Sequence, residues 1–144
     1  MIFRIASVLG LLAMIAGILA LLCLRSLFHP LFAVILVQAA ALLIIWGPLV
    51  FGWRSFHFTA NPTRGGLVTT GPYRFIRHPI YAAVCLLVRA GALGSLSLPS
   101  FLSALLTTLG AVVREFCEER LLAERYPEYL EYAARTKRMI PYLF

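Results

Sequence analysis

The sequence contains no aspartate, and its six acidic residues are glutamates that all lie between Glu115 and Glu131. Charged residues make up only 13% of the 144 residues, whereas 61% are hydrophobic. A water-soluble domain of this length cannot cover so much apolar surface with so few polar groups. The composition therefore excludes an ordinary soluble domain and predicts one all-α integral membrane domain.

Cysteine is also scarce, and its placement argues against a metal centre built on thiolates. Cys23, Cys85 and Cys117 are odd in number and widely spaced, with no CxxC pair. Such a pattern suggests neither a disulfide framework nor a zinc site, so we interpret them as small apolar packing residues. His29 has no other metal-binding side chain near it in sequence and is interpreted as a solvated turn residue. We expect no bound metal.

Lysine is nearly absent, since the thirteen basic residues are twelve arginines and Lys137. The formal net charge is +7. In a membrane protein, basic residues mainly set topology and meet anionic lipid headgroups. The positive charge therefore predicts membrane lipid as a partner and no nucleic acid.

Apolar stretches long enough to cross a bilayer, or nearly so, occur four times. We predict spans at residues 2–24, 31–53, 80–98 and 101–114. The first is interpreted as a retained span, because a cleaved signal has a shorter apolar core and a small-residue cleavage site. Pro79 suits the first turn of the third helix, and Pro99-Ser100 predicts a turn before the fourth. The fourth helix should continue beyond Arg114 to about Tyr126, followed by a short amphipathic helix from Glu128 to Arg135.

The basic residues are distributed unequally over the two membrane faces of this four-span arrangement. One face would hold both termini and the long loop at 54–76, and the other would carry only Arg25. The first face carries Arg4, Arg54, Arg64, Arg74, Arg77, Arg114, Arg120, Arg125, Arg135, Lys137 and Arg138. By the positive-inside rule this face should be cytoplasmic. Arg89 lies inside the third span, either as a functional residue or as a side chain that snorkels to the interface.

One polar stretch, Thr69–Tyr81, interrupts the apolar sequence just before the third span. It reads TTGPYRFIRHPIY, which is rich in turn-forming and cationic residues. Its chemical complement comes later, at Arg114–Glu119. On a helix Arg114 and Glu118 share one stripe, while Glu115 and Glu119 share the neighbouring stripe. Spacing alone leaves open whether these charges form a site or a solvated helix end with internal ion pairs.

The two stretches together resemble the isoprenylcysteine carboxyl methyltransferase family and, more loosely, the membrane phospholipid N-methyltransferases. The resemblance lies in Gly71–Tyr81, in Arg114 with the Glu118-Glu119 pair, and in Glu128-Tyr129-Leu130-Glu131-Tyr132. It covers roughly residues 66–141. It implies an integral membrane methyltransferase that uses S-adenosylmethionine, with a cofactor-binding part at 65–141. In that part a cytoplasmic loop and the C-terminal amphipathic helix would form the cofactor pocket.

The resemblance also implies roles for particular residues. The expected cofactor-binding residues are Leu67, Val68, Tyr73, Arg77, His78, Pro79, Ile80, Tyr81 and Glu118, and the expected catalytic residues are Arg114 and Glu119. By chemistry, Arg77 or His78 suits the methionyl carboxylate of the cofactor, and Glu118 or Glu119 suits its ribose or amino group. Arg114 would orient an anionic acceptor, whereas a nearby glutamate would deprotonate an amine. In the eukaryotic enzymes of the isoprenylcysteine carboxyl methyltransferase family, a histidine lies just before the stretch that Leu67 and Val68 match. This chain has Gly65-Gly66 there, so that imidazole is missing.

The predicted function is methyl transfer to a lipophilic small molecule or lipid, with a carboxylate as the first candidate acceptor. An alternative is N-methylation of a phospholipid or another amine. A further alternative is an NADPH-dependent membrane reductase of the steroid-reductase type, since such enzymes also carry an Arg-His-Pro-x-Tyr element before a span. The remaining alternative is an inactive membrane protein that keeps only the scaffold of these enzymes. The expected location is a bacterial cytoplasmic membrane, with the active site facing the cytoplasm.

Overall fold

The computed structural model describes residues 2–28 and 69–139, together with helical positions 35–37, 39, 40, 42, 43 and 46. The α-helices of the two long ranges are α1 (Ile2–Cys23), α2 (Pro79–Ser95), α3 (Leu98–Arg125) and α4 (Tyr129–Arg135). A short 3-10 helix spans Gly71–Arg74. Among these residues extended pairing is limited to one isolated bridge between Ile76 and Lys137. The predicted all-α class is therefore confirmed for the described part of the chain.

Two of the described helices, α1 and α3, are long and apolar enough to cross a membrane. The first matches the predicted span at 2–24. Helix α2 is apolar but has 17 residues, a length of about 26 Å at 1.5 Å per residue. The predicted span at 31–53 lies outside the described residues, apart from the helical positions between 35 and 46. The number of four spans therefore stays a prediction.

The boundary between α2 and α3 differs from the predicted turn at Pro99-Ser100. Helix α2 ends at Ser95, Leu96 adopts a left-handed conformation with φ 46°, and α3 begins at Leu98. The Ser97 side chain accepts a hydrogen bond from the Ser100 backbone N–H and so caps the new helix. Proline is tolerated in a first helical turn, where backbone N–H groups lack intrahelical partners. The predicted limits at 98 and 101 were wrong for this reason.

Helices α1 and α3 pack closely because glycines let their backbones approach. A Cβ added at Gly10 would lie 2.8 Å from the Gly110 carbonyl oxygen. At Gly17 it would lie 2.1 Å from Thr107 Oγ1 and 2.6 Å from the Ser103 carbonyl oxygen. Small residues at helix contacts are typical of membrane bundles, where van der Waals packing drives association. The contact holds α1 against the face of α3 that leads to Arg114.

Buried apolar side chains form two clusters along these helices. One cluster comprises Leu21, Leu27, Val88, Ala92 and Ala104. The other comprises Met14, Cys85 and Ala111, with Tyr81, Val84 and Met139 packed against it. Cys85 and Cys117 are buried free thiols, as expected of packing residues, whereas Cys23 is exposed. Through Tyr81 the second cluster contacts the polar stretch Thr69–Tyr81.

Candidate active site

The polar motif before α2 is shaped by glycine and proline. Gly71 adopts φ 62°, which favours glycine, and the 3-10 helix starts there with Pro72 in its first turn. Pro79 then opens α2, with His78 at the N-cap position. These turns place Arg77 and His78 directly before the first turn of α2.

The chain after α4 pairs with this motif by backbone hydrogen bonds. The N–H of Arg77 donates to the Lys137 carbonyl at 2.7 Å, and the N–H of His78 donates to the Arg138 carbonyl at 2.9 Å. In return the Lys137 N–H donates to the Phe75 carbonyl at 3.2 Å. We call this pairing of residues 75–78 with 137–138 the clasp. It fixes the motif backbone from the far end of the described chain.

Side chains reinforce the clasp. The Arg77 guanidinium donates through NH1 to the carbonyl oxygens of Ala133, at 2.8 Å, and Thr136. The Tyr132 hydroxyl donates to the Tyr73 carbonyl at 2.7 Å. Burial raises the pKa of Tyr132 from 10.0 to about 12. The amphipathic helix α4 is therefore docked onto the motif through polar contacts.

A first group of charged side chains forms around Glu119 and comprises Arg77, His78, Glu115, Glu119 and Arg138; we call it the Glu119 cluster. Arg77 Nε donates to Glu119 Oε1 at 2.8 Å, and Arg138 Nε donates to Glu119 Oε2 at 3.1 Å. His78 Nε2 lies 3.5 Å from Glu119 Oε1. Glu115 is fully buried, with Oε1 3.5 Å from Arg138 Nε. Glu119 is thus held by two guanidinium groups.

A second group lies around Glu118 and comprises Tyr81, Arg114 and Glu118; we call it the Glu118 cluster. The Tyr81 hydroxyl donates to Glu118 Oε1 at 2.5 Å and accepts a hydrogen bond from Arg114 Nε at 2.6 Å. Arg114 Nε also lies 3.2 Å from Glu118 Oε1. Arg114 NH1 donates to the Ser7 carbonyl of α1 at 3.5 Å. This buried arginine therefore ties three helices together.

His78 connects the two clusters. Its Nδ1 lies 3.8 Å from Glu118 Oε2, on the opposite side of the ring from Glu119. The imidazole stacks on the Tyr81 ring with centroids 5.6 Å apart and an interplanar angle of 25°. His78 is buried. One imidazole therefore stands between the two neighbouring glutamates of α3.

The site balances its charges internally. Its acids and bases are Glu115, Glu118 and Glu119 against Arg77, Arg114 and Arg138. Buried charges are costly unless they are paired and hydrogen-bonded, and removal of one partner leaves the other uncompensated. Loss of any one of these six side chains would therefore leave a partly or fully buried charge without its partner.

Glu118 is the most open acid of the site. Its side chain is 24% exposed, against 13% for Glu119 and 6% for His78. A partly open carboxylate beside a tyrosine ring and an imidazole offers hydrogen-bond acceptors and an aromatic face to a polar, ring-bearing ligand. These residues fit S-adenosylmethionine, which has hydroxyl and amino donors and an adenine ring.

Most predicted site residues come together in space. The structure places Tyr73, Arg77, His78, Pro79, Ile80, Tyr81, Arg114, Glu118 and Glu119 around the motif and the facing part of α3. Leu67 and Val68 lie outside the described residues. The functional roles assigned to all of these residues stay predictions.

Sequence reasoning missed other members of the site. Glu115 shares a helical stripe with Glu119, a signal that was present in the spacing but was not used. Arg138 was counted only among the basic residues of the predicted cytoplasmic face. Tyr129 is buried against the site, and burial together with the charge of Glu119 raises its pKa. The clasp brings Arg138 to the site, and a contact between segments so far apart in the sequence leaves no periodic pattern.

Comparison with known families decides what kind of protein carries this site. The sequence profile of the phospholipid methyltransferase family matches residues 26–129. The chain belongs to the phospholipid methyltransferase family. This family includes the membrane methyltransferases that are similar to isoprenylcysteine carboxyl methyltransferase, so the resemblance found in the motif is confirmed. Family membership, together with the two apolar helices, indicates a membrane protein of the methyltransferase type.

Two curated relatives match part of this family member. Nickel-cobalt-cadmium resistance protein NccN of Alcaligenes xylosoxydans xylosoxydans is 40% identical over 82 residues, which are 54% of this chain and 37% of the relative. Cobalt-zinc-cadmium resistance protein CzcN of Cupriavidus metallidurans is 40% identical over 82 residues, which are 54% of this chain and 36% of the relative. The matched part thus spans little more than a third of either relative. No solved structure matches the chain.

Proposed function

We propose that this protein is an integral membrane methyltransferase that uses S-adenosylmethionine and acts on a lipophilic acceptor. Membership of the phospholipid methyltransferase family supports methyl transfer. The observation that carries the proposal is the position of His78, buried between Glu118 and Glu119 and stacked on Tyr81. This arrangement joins the two sequence stretches on which the resemblance rests.

When bound, S-adenosylmethionine supplies an electrophilic methyl group, and a nucleophilic acceptor needs no covalent help from the enzyme. The protein must then bind, orient and exclude water. Glu118 would hold the hydroxyl or amino groups of the cofactor, and Tyr73 and Tyr81 would contribute aromatic faces. The clasp would close the motif from the aqueous side, and Arg77 or His78 would face the methionyl carboxylate.

The acceptor is proposed to be a carboxylate or an amine of a membrane-associated molecule. Arg114 would orient a carboxylate from the membrane side, where it already contacts Tyr81 and the Ser7 carbonyl. An amine would have to lose a proton. For an amine acceptor Glu118 would take this proton instead of binding the cofactor, because both oxygens of Glu119 already accept from guanidinium groups. Mass spectrometry of methylated lipids and small acids in an overexpressing strain distinguishes the two classes.

Cofactor binding tests the proposal directly. We expect S-adenosylhomocysteine to raise the melting temperature of the purified protein, because a ligand that binds only the folded state stabilises it. His78→Ala and Glu118→Ala should each weaken this shift, while the exposed Glu131→Ala should not. The assignment fails if both site variants respond like the parent. Stabilisation by NADPH alone would instead support the reductase alternative.

The proposed orientation places the site on the cytoplasmic face. It rests on the bias of basic residues toward one face of the four-span arrangement. Reporter fusions at the C-terminus, one active only in the cytoplasm and one only outside it, should give the cytoplasmic signal. An external C-terminus would refute the four-span arrangement and leave the cofactor proposal standing.

A second candidate role comes from the names of the two relatives. Both are named for resistance to divalent metals, cobalt and cadmium being common to both. We propose that the methyl transfer contributes to such resistance. Expression in a metal-sensitive host should improve growth at graded cobalt concentrations, and Glu118→Ala should abolish the benefit. Equal growth with and without the protein would refute this role.

A further inference from the structure

The Glu119 cluster contains a set of atoms typical of a metal-binding site. His78, Glu115 and Glu119 each offer one ligand atom, and these atoms all lie within 4.8 Å of one another. In a tetrahedral site with bonds of about 2.1 Å, neighbouring ligand atoms lie about 3.4 Å apart. His78 Nε2 and Glu119 Oε1 are already 3.5 Å apart. Small side-chain movements would therefore bring three protein ligands of such a site into place.

Unsatisfied polar atoms are concentrated at the same place. Within the described residues, five buried side-chain oxygen or nitrogen atoms lack a hydrogen-bond partner. Four of them are both carboxylate oxygens of Glu115, Nε2 of His78 and the hydroxyl of Tyr129. A buried polar atom without a hydrogen bond lowers the stability of the folded protein. The charged partners at 3.5 Å from His78 Nε2 and from Glu115 Oε1 compensate these atoms only in part. A cation among them would satisfy several lone pairs at once, which a single additional hydrogen bond cannot do.

The arginines of the cluster determine how an ion would enter. Arg77 is fixed to Glu119 and to backbone carbonyls, so it should stay in place. Arg138 contacts both Glu119 and Glu115, but it lies on the segment after α4, and its side chain is 27% exposed. An ion would compete with Arg138, because both compensate the same two carboxylates. Release of Arg138 toward water would keep the charge of the cluster close to balance.

We propose that His78, Glu115 and Glu119 bind one divalent transition-metal ion in exchange for the contacts of Arg138. One imidazole nitrogen and two carboxylates suit Zn²⁺, Co²⁺ or Ni²⁺ better than Mg²⁺ or Ca²⁺, which prefer all-oxygen ligands. The ion would use Nε2 of His78, whereas Nδ1 faces Glu118 and the proposed cofactor pocket. The metal ion and the cofactor would thus lie at opposite edges of the same imidazole ring.

Cobalt absorption tests this site without any assay of activity. Purified protein, freed of metal with a chelator, is titrated with Co²⁺ while its visible d–d absorption is recorded, and Zn²⁺ is then added as a competitor. We expect one equivalent of Co²⁺ to bind and Zn²⁺ to displace it. Glu115→Gln should weaken Co²⁺ binding by at least about tenfold, since even residues that only support metal ligands cost this much. Glu131→Gln, on the exposed face of α4, is the matched control and should bind like the parent.

A variant that should bind Co²⁺ more tightly distinguishes loss of the metal site from loss of the fold. Arg138→Gln removes the competing charge and should strengthen Co²⁺ binding by about tenfold, because a positive charge so close opposes a second cation. The proposal fails if neither the parent nor Arg138→Gln gives a Co²⁺ spectrum. It also fails if Glu115→Gln binds Co²⁺ as tightly as the parent. If the parent binds no Co²⁺ and Glu115→Gln is more stable than the parent, a proton or a water molecule, and not a metal ion, satisfies Glu115.

The proposed function can fail independently of this site. S-adenosylhomocysteine binding is measured by thermal shift on the same preparations. Co²⁺ binding without any cofactor response would refute the methyltransferase assignment and leave the metal site standing. A cofactor response without Co²⁺ binding would refute the metal site and leave the methyltransferase assignment standing.

Discussion

Arg77→Lys is the substitution for which the site geometry gives the clearest expectation. The Arg77 side chain is 10% exposed. Its Nε donates to Glu119, and its NH1 donates to the carbonyl oxygens of Ala133 and Thr136. Lysine keeps the positive charge, but its single ammonium group cannot reproduce contacts made by two nitrogens of a planar fork. The substitution therefore separates the effect of geometry from the effect of charge.

The expected cost follows from the contacts that are lost. If the ammonium group keeps Glu119, both hydrogen bonds to carbonyl groups are lost or lengthened, at about 1 kcal/mol each. Imperfect pairing of the buried carboxylate adds to this, so we expect a total of about 2–3 kcal/mol. For a protein of this size, each kcal/mol lowers the melting temperature by about 2–4 °C. Arg77→Lys should therefore lower Tm by about 5–10 °C.

Arg135→Lys is the matched control, since Arg135 pairs with Glu131 on the surface of α4 with a side chain 75% exposed. An exposed pair of this kind contributes about 0.5 kcal/mol or less. Its Tm should therefore stay within about 2 °C of the parent. Thermal unfolding in one detergent, followed by circular dichroism, compares the three proteins. Equal shifts for both variants, or none for Arg77→Lys, would refute the reasoning that the clasp depends on this guanidinium.

Other predictions concern helix packing, the acceptor and pH. Gly17→Ala should sharply lower the yield of folded protein in detergent, because its Cβ would overlap Thr107 Oγ1 and the helix backbone, whereas the exposed Leu19→Ala should not. Arg114→Lys should keep S-adenosylhomocysteine binding but lower methyl transfer about a hundredfold; near-parental turnover would make Arg114 a membrane anchor. Stability should fall as pH rises from about 10 to about 12, where Tyr132 ionises only in the unfolded chain. Tyr132→Phe should reduce that slope, and an unchanged slope in denaturant titrations would contradict the assignment.

Sequence reasoning predicted the helices well where one physical signal dominated. The apolar run of α1, the proline at the start of α2 and the end of α3 before Pro127 were all predicted correctly. The start of α3 was wrong because Ser97 caps the helix and Pro99 fits inside its first turn. Proline marks both the outside and the first turn of a helix, so the residue alone does not fix the boundary.

The candidate site was predicted in part, for a related reason. Local spacing brought Arg114 and Glu118 onto one stripe, and the structure pairs them at 3.2 Å. Contacts between distant segments left no such signal. Neither the pairing of His78 with Arg138 nor the contact of Arg114 with the Ser7 carbonyl follows a helical period. These contacts depend on how the helices pack, which a single sequence does not encode in a readable pattern.

The clasp has a consequence for the order in which the protein is made. Arg77 and Thr136 are 59 positions apart, and both membrane-crossing candidates are complete before Thr136 is translated. Until then the N–H groups of Arg77 and His78 lack the carbonyls to which they donate in the folded protein. A chain that stopped before residue 137 would therefore lack the carbonyls of Lys137 and Arg138, and its motif would stay open. The site is thus complete only once these two residues have been made.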